Sequence, residues 1–432
     1  MKICTLVLSI LGLFGMPVYA VSDTLITNYT NIATATYHDT IKDAKALEKA
    51  IENFAKNPNK NTLKKSKEAW LMARESYGVS EIFRLVNGPI DAEEGWVAEA
   101  YGSLESQINA WPLDENMIDY TLDENGEKTS GNIIDTKGLF NPSGDTSVAI
   151  DVSEISQKSL SALNENGGDA NVATGYHAIE FLLWGQDQDY SNFMKDSITH
   201  GAMMAGQRPL SDFTTDKYAS RRLVYLKVLA SKIVSDLSRV ASGWSLKVSD
   251  DCAINPRGCY RGAINQQLKG LDAKKNIRQK EVLKKILSGM GVFIKSEVAN
   301  ERIAVAVLTP SEEDEHSCFS DNTHRDIAMN YQGFKNVLTG SYEDIKGKSF
   351  LDKVDAKTKK KIFDLMGSIE EKIASIDRVA KNQAHFDYQI RPDSPHAKVI
   401  IKLKNQMRKL GDMMIVVAEQ NGVDLNADET SK

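Results

Sequence analysis

After its first twenty residues, the 432-residue chain has no apolar run long enough to cross a membrane. It has no basic excess either: 53 lysines and arginines stand against 59 aspartates and glutamates, a formal net charge of -6. That balance leaves no electrostatic footprint for a nucleic acid. The basic run KTKKKI at 357–362 is closely followed by acids and reads as a solvated helix face. Strand signals are scarce. The region 111–145, rich in Gly, Asn, Asp and Pro, forms a long excursion with a hairpin at ENGE, but it lacks the alternating Asp-x-Asp-x-Asp-Gly of a calcium loop.

The first twenty residues hold a marked apolar run, and it too is short for an ordinary membrane span. Lys2 supplies a positive charge, residues 3–14 an apolar stretch, and Val18-Tyr19-Ala20 a small-x-small cleavage site, the layout of a signal peptide. Cys4 lies at the start of the apolar stretch rather than after it, so it is not placed for lipid attachment. The mature chain is expected to begin near residue 21 as an exported, soluble protein, periplasmic in a Gram-negative host. Of the three cysteines left, Cys252 and Cys259 lie seven apart across a Pro/Gly loop and are a disulfide candidate. Cys318 remains as a buried free thiol.

What the chain does have is helical periodicity. Apolar residues spaced by three and four predict helices over 26–54, 63–86, 150–164, 218–244, 280–308, 326–338, 357–382 and 395–421. Ser311, ahead of Asp314 and Glu315, offers a cap, and Gly422 a stop. The expectation is an all-α protein of two packed helix-bundle domains with a cleft between them. The boundaries fall at 1–20 for the signal, 21–248 for the N-terminal domain and 249–432 for the C-terminal one.

One predicted helix carries unusual chemistry. In GYHAIEFLLWGQD, His177 and Glu180 stand three apart, hence on one face. Ile179, Phe181, Leu182, Leu183 and Trp184 cover the other directions, so the helix should be buried. Two buried ionisable groups must be paired, hydrogen-bonded or bound to metal. A closed structural pair is one outcome and a ligand site the other. Three further strings tilt toward a site: SEIFRLVNGPID carries Glu81, Arg84 and Asp91, and NAWPLDENMIDY carries Trp111 and Asp114. EEDEHSCFSDNTHRD packs His316, Cys318, Ser320, Asp321, His324 and Asp326 into fifteen residues.

Together these strings resemble the imelysin family of exported bacterial proteins, in its iron-regulated protein A branch, whose G-x-H-x-x-E motif is met by Gly175, His177 and Glu180. The resemblance covers essentially all of the mature chain. It implies two helical domains with the motif in the cleft between them, expression tied to iron, and a part in iron uptake alongside iron-transport partners. It also implies an old metallopeptidase label, from a member described as cleaving insulin.

The residues themselves weigh that label. A zinc peptidase needs about three protein ligands, an open coordination position and a general base. H-E-x-x-H is absent, and the inverted form would need histidine where the chain has Phe181. A ferritin-type site would need Glu-x-x-His twice, and Glu313-x-x-His316 is the single instance. Nitrogen and carboxylate donors suit iron. The expectation is therefore a protein binding iron or an iron-bearing, anionic ligand. His177, Glu180, Glu81 and Asp91 are its metal candidates. Arg84, Trp111, Asp114, His316, Ser320, Asp321 and His324 would line the ligand site. Zinc is the lesser alternative as the metal, and a metallopeptidase with Glu180 as its catalytic group is the alternative function. Arg84 either orients an anion or pairs with Glu81.

Overall fold

The computed structural model describes residues 24–123, 125–187, 202–308 and 315–431. The expected signal peptide and the Ser311 cap lie outside the described residues. Among them the chain is helical, with two two-stranded antiparallel hairpins as its sheets. The helices in order are α1 (Leu25–Lys56), α2 (Lys60–Ser80), α3 (Gly95–Tyr101), α4 (Glu105–Asn109), α5 (Glu115–Ile118), α6 (Gln157–Leu163), α7 (Gly175–Trp184) and α8 (Ala219–Gly243). They continue as α9 (Cys259–Ile264), α10 (Gln279–Val292), a π-helix (Phe293–Ala304), α11 (Val305–Leu308), α12 (Thr323–Thr339), α13 (Ala356–Asn382), α14 (Phe386–Ile390) and α15 (Ala397–Gln420). No helix of the described residues is long and apolar enough to cross a membrane.

Local chemistry sets the ends. The Asn59 side chain accepts from the Thr62 backbone while the Thr62 hydroxyl answers the Asn59 N–H, a reciprocal box that starts α2. Ser156 and Ser159 do the same for α6. That box corrects the helix expected over 150–164. Ile150–Asp151 is instead a strand paired with Leu139–Phe140, and the helix begins at Gln157. The periodicity over 280–308 runs through α10, the π-helix and α11 without a break, so the wider turns of the π-helix leave no mark on the spacing. The hairpin expected at ENGE is an antiparallel bridge between Leu122 and Lys128. The chain past α15 turns at Gly422, whose φ of 80° is left-handed.

Helices α1, α2, α7 and α8 pack on one another. So do α10, the π-helix, α12, α13 and α15, and α2 on α12 joins the two groups. One apolar cluster runs without interruption from Ile26 to Val423. A smaller one gathers around Cys252 and Cys259, which form a disulfide with Cα atoms 5.9 Å apart; Cys318 is a buried free thiol.

Candidate metal centre and its acidic cavity

Every residue of α7 is buried. Its first residue explains part of the motif. Gly175 has φ +93°, and a Cβ there would stand 2.6 Å from the Ile108 carbonyl oxygen. Only glycine lets the helix start press against the end of α4. The Trp70 indole donates to the Tyr176 carbonyl at 2.9 Å and fixes the same end from the α2 side.

Two turns of side chains then meet. His177 and Glu180 are wholly buried, with Nδ1 2.9 Å from Oε2. The other carboxylate oxygen of Glu180 accepts from the Ser320 backbone N–H at 3.0 Å and from its hydroxyl at 2.6 Å. His316 repeats the arrangement from the other half of the chain. Its Nδ1 lies 2.8 Å from Asp326 Oδ2, to which the Ser317 hydroxyl also donates at 2.6 Å. The two imidazoles meet edge to face, centroids 4.7 Å apart. The Trp111 ring lies 4.9 Å from His177. Each histidine is thus gripped through Nδ1 by a carboxylate. The Nε2 atom of His177 is buried with no hydrogen-bond partner, and the hydrogen bonds of His316 among the described residues all go to Nδ1.

Electrostatics keep these rings neutral. Burial pushes the His177 pKa well below its ordinary value, helped by His316 and Arg74. Burial does the same to His316, helped by Arg302 and Arg74. Burial raises the Glu180 carboxyl to about 8 against the pull of its Ser320 hydrogen bonds. His177 and Glu180 therefore hold one proton between them at neutral pH.

Glu81, linked to His316 through Arg74, lies inside a cage of cations. Arg302 is 2.6 Å away, Arg84 3.2 Å and Arg74 3.4 Å, while Asn330 donates at 3.1 Å. Burial alone would raise its pKa, but Arg302, Arg74 and Arg84 outweigh it and hold it low. Arg74 also reaches Asp326, with Nε 3.3 Å from Oδ1. Arg84 continues outward to Glu105 at 2.9 Å and Glu297 at 3.7 Å.

A cavity of about 360 Å³ opens beside His316 and Arg84; His177 and Glu180 lie behind its wall rather than in it. Trp111, His316, Arg84, Arg302 and Asn109 form part of its wall. So do five carboxylates, from Glu105, Glu165, Asp169, Glu297 and Glu301, against the two guanidiniums. The π-helix supplies Glu297, Glu301 and Arg302 to that wall, in keeping with the tendency of such turns to occur at functional sites. Lining of this charge favours a cation over an anion.

The structure brings His177, Glu180, Trp111, His316 and Ser320 together, with Glu81 and Arg84 alongside. It does not bring Asp91 or Asp114 to them. The Asp91 carboxylate accepts the backbone N–H groups of Val86, Asn87 and Gly88 and closes that turn. Asp114 sits just before α5, its N–H bonded to the Ala170 carbonyl. His324, two residues before Asp326 on α12, turns elsewhere: its Nδ1 is 3.1 Å from the Asp321 carbonyl oxygen and its Nε2 3.6 Å from Asp377. Arg74, Arg302 and Asn330 are site residues that sequence spacing did not single out, whereas Asp326 stood in the string with His316. Arg74 alone had a signal, two helical turns before Glu81 and so on its face.

The sequence model of the Imelysin family (peptidase M75) matches residues 33–412. The chain belongs to the Imelysin family. No curated protein matches it. Among solved structures it is similar to a protein described as an iron-regulated protein A precursor from Parabacteroides distasonis. Identity is 17%, the TM-score is 0.58, and 90% of this chain and 93% of that one are covered. It is also similar to an imelysin-like protein from Psychrobacter arcticum, at 12% identity and a TM-score of 0.52, covering 95% of this chain and 100% of that one. At such identities the likeness establishes the imelysin fold.

Proposed function

We propose that this imelysin binds a transition-metal ion, iron in its physiological setting, through the Nε2 atoms of His177 and His316. The observation that carries the reading is the matched pair of carboxylate-held imidazoles. A carboxylate on Nδ1 fixes the ring and raises the basicity of Nε2, an arrangement typical of metal-binding histidines. A buried Nε2 without a partner is costly unless something fills its place. Lowered imidazole pKa values favour the neutral ring, which is the form that ligates. The acidic cavity, which His316 lines, would gather the cation, and Arg84 and Arg302, already paired with carboxylates, need not repel it. Glu180 in this reading orients His177, and Asp326 orients His316.

Iron is favoured because imidazole and carboxylate suit it, and because a similar solved protein is described as iron-regulated. The cavity would then lie between the halves 21–248 and 249–432, in a protein exported by its first twenty residues and handing its ion to iron-transport partners. Hydrolysis of peptides fits less well. Both oxygens of Glu180 are engaged, by His177 and Ser320, so it is not placed to activate water.

The test is a Co²⁺ titration of the mature chain followed by visible absorption. The wild-type protein should bind an ion that the His177→Ala and His316→Ala variants each lose by at least about tenfold in affinity. Equal uptake by all three chains would overturn the reading.

A further inference from the structure

The turn that carries Ser320 leads into a second cluster, which the reading above leaves unused. One ligand atom each of Asp321, His385 and Asp387 lies within 4.8 Å of the other two. They come from separate stretches: Asp321 from the turn before α12, His385 and Asp387 from the start of α14. Both aspartates are buried, and the His385 ring is partly open to solvent. His385 Nδ1 and Asp321 Oδ2 are 2.5 Å apart.

The backbone of the cluster is held on each side. The Asp321 N–H donates to the Cys318 carbonyl at 3.2 Å, its own carbonyl meets His324, and the His385 N–H donates to the Ala202 carbonyl at 2.8 Å. A cluster so braced is preorganised for a shared guest. Two carboxylates and a neutral imidazole sum to the charge of a divalent ion with its sign reversed. Mixed oxygen and nitrogen donors match first-row divalent metals better than calcium, which takes oxygen alone.

We propose that Asp321, His385 and Asp387 form a binding site for a first-row divalent cation, separate from the pair formed by His177 and His316. Its place in the chain gives it a role. Asp321 follows Ser320, whose N–H and hydroxyl hold Glu180, which in turn grips His177. An ion at the triad would pin the turn and so fix the grip on His177 from outside.

The experiment uses the mature chain carrying His177→Ala and His316→Ala, titrated with Co²⁺, with circular dichroism as the check on folding. It should still bind one ion. Adding Asp387→Asn should weaken that binding at least about tenfold, as should His385→Gln, whose partly exposed ring makes it the safer variant for folding. If the starting chain binds no ion, or if His385→Gln binds as tightly as its parent, the site is an ordinary aspartate–histidine ion pair and the proposal fails. Failure of the proposed function reads differently: the wild-type chain and the His177→Ala/His316→Ala chain would then bind the same number of ions.

Discussion

Metal binding at His177 should release a proton, and affinity should therefore climb with pH up to about 8. The metal-free pair of His177 and Glu180 keeps one proton below that value, because burial raises the carboxyl to about 8 and depresses the imidazole. In that state the proton sits on the carboxyl oxygen facing Nδ1, and the ring carries its own proton on Nε2. Ligation needs the opposite tautomer, with Nδ1–H donating to a carboxylate and Nε2 bare. One proton must leave for each ion bound. Apparent affinity then rises about tenfold per pH unit below 8 and levels off above it. From about pH 6 to the plateau above about pH 8 that amounts to roughly 100-fold, or about 2.7 kcal/mol. Neither histidine adds a slope of its own there, since both titrate well below their ordinary value. Competition titrations with Co²⁺ between about pH 6 and pH 9 measure the slope directly. The Glu180→Gln variant cannot hold the proton; it should bind about 10- to 100-fold more weakly at high pH and show no slope. A flat wild-type profile, or an unchanged slope in Glu180→Gln, would refute the reasoning.

Other positions give further expectations. Gly175→Ala would force a Cβ against the Ile108 carbonyl at a left-handed φ and should cost about 2–3 kcal/mol, read as a lowered urea midpoint. Asp119 accepts from Arg208 and Arg222, each at 2.7 Å, with all three side chains buried. Asp119→Ala would leave Arg208 to Asp212 and Arg222 to Asp216, and should cost about 1–3 kcal/mol in thermal unfolding. Trp111 packs 4.9 Å from His177, so Co²⁺ binding should quench part of the tryptophan emission, and Trp111→Phe should remove that quenching.

The fold was legible because amphipathic helices announce themselves through spacing. The predicted and observed spans of α1, α8, α13 and α15 coincide to within a few residues. Two things escaped. The π-helix shares the apolar spacing of its flanks, so no residue pattern marks it. The stretch from Ile150 carries apolar residues at helical intervals, yet a strand pairing and the Ser156 box decide where the helix starts. The site was legible in part. An imidazole and a carboxylate on one face of an apolar helix is a local signal, readable without coordinates. That Glu180 meets Nδ1, rather than standing beside Nε2, depends on Ser320, which is 140 residues away. Arg302 reaches Glu81 across 221 residues, and Asp326 holds His316 only because the turn between them folds back. Asp321 stood in a string rich in ligand-type residues, whereas His385 and Asp387 joined it through tertiary packing alone.

A crystal of the mature protein soaked with Co²⁺ and measured at the cobalt absorption edge tests the central claim most directly. An anomalous peak is expected within coordination distance, about 2.0–2.3 Å, of Nε2 on both His177 and His316, with Glu180 and Asp326 behind the rings on Nδ1. A fully loaded crystal with no peak at those two nitrogens, or with the ion bound directly by Glu180 and the His177 ring turned away, would contradict it.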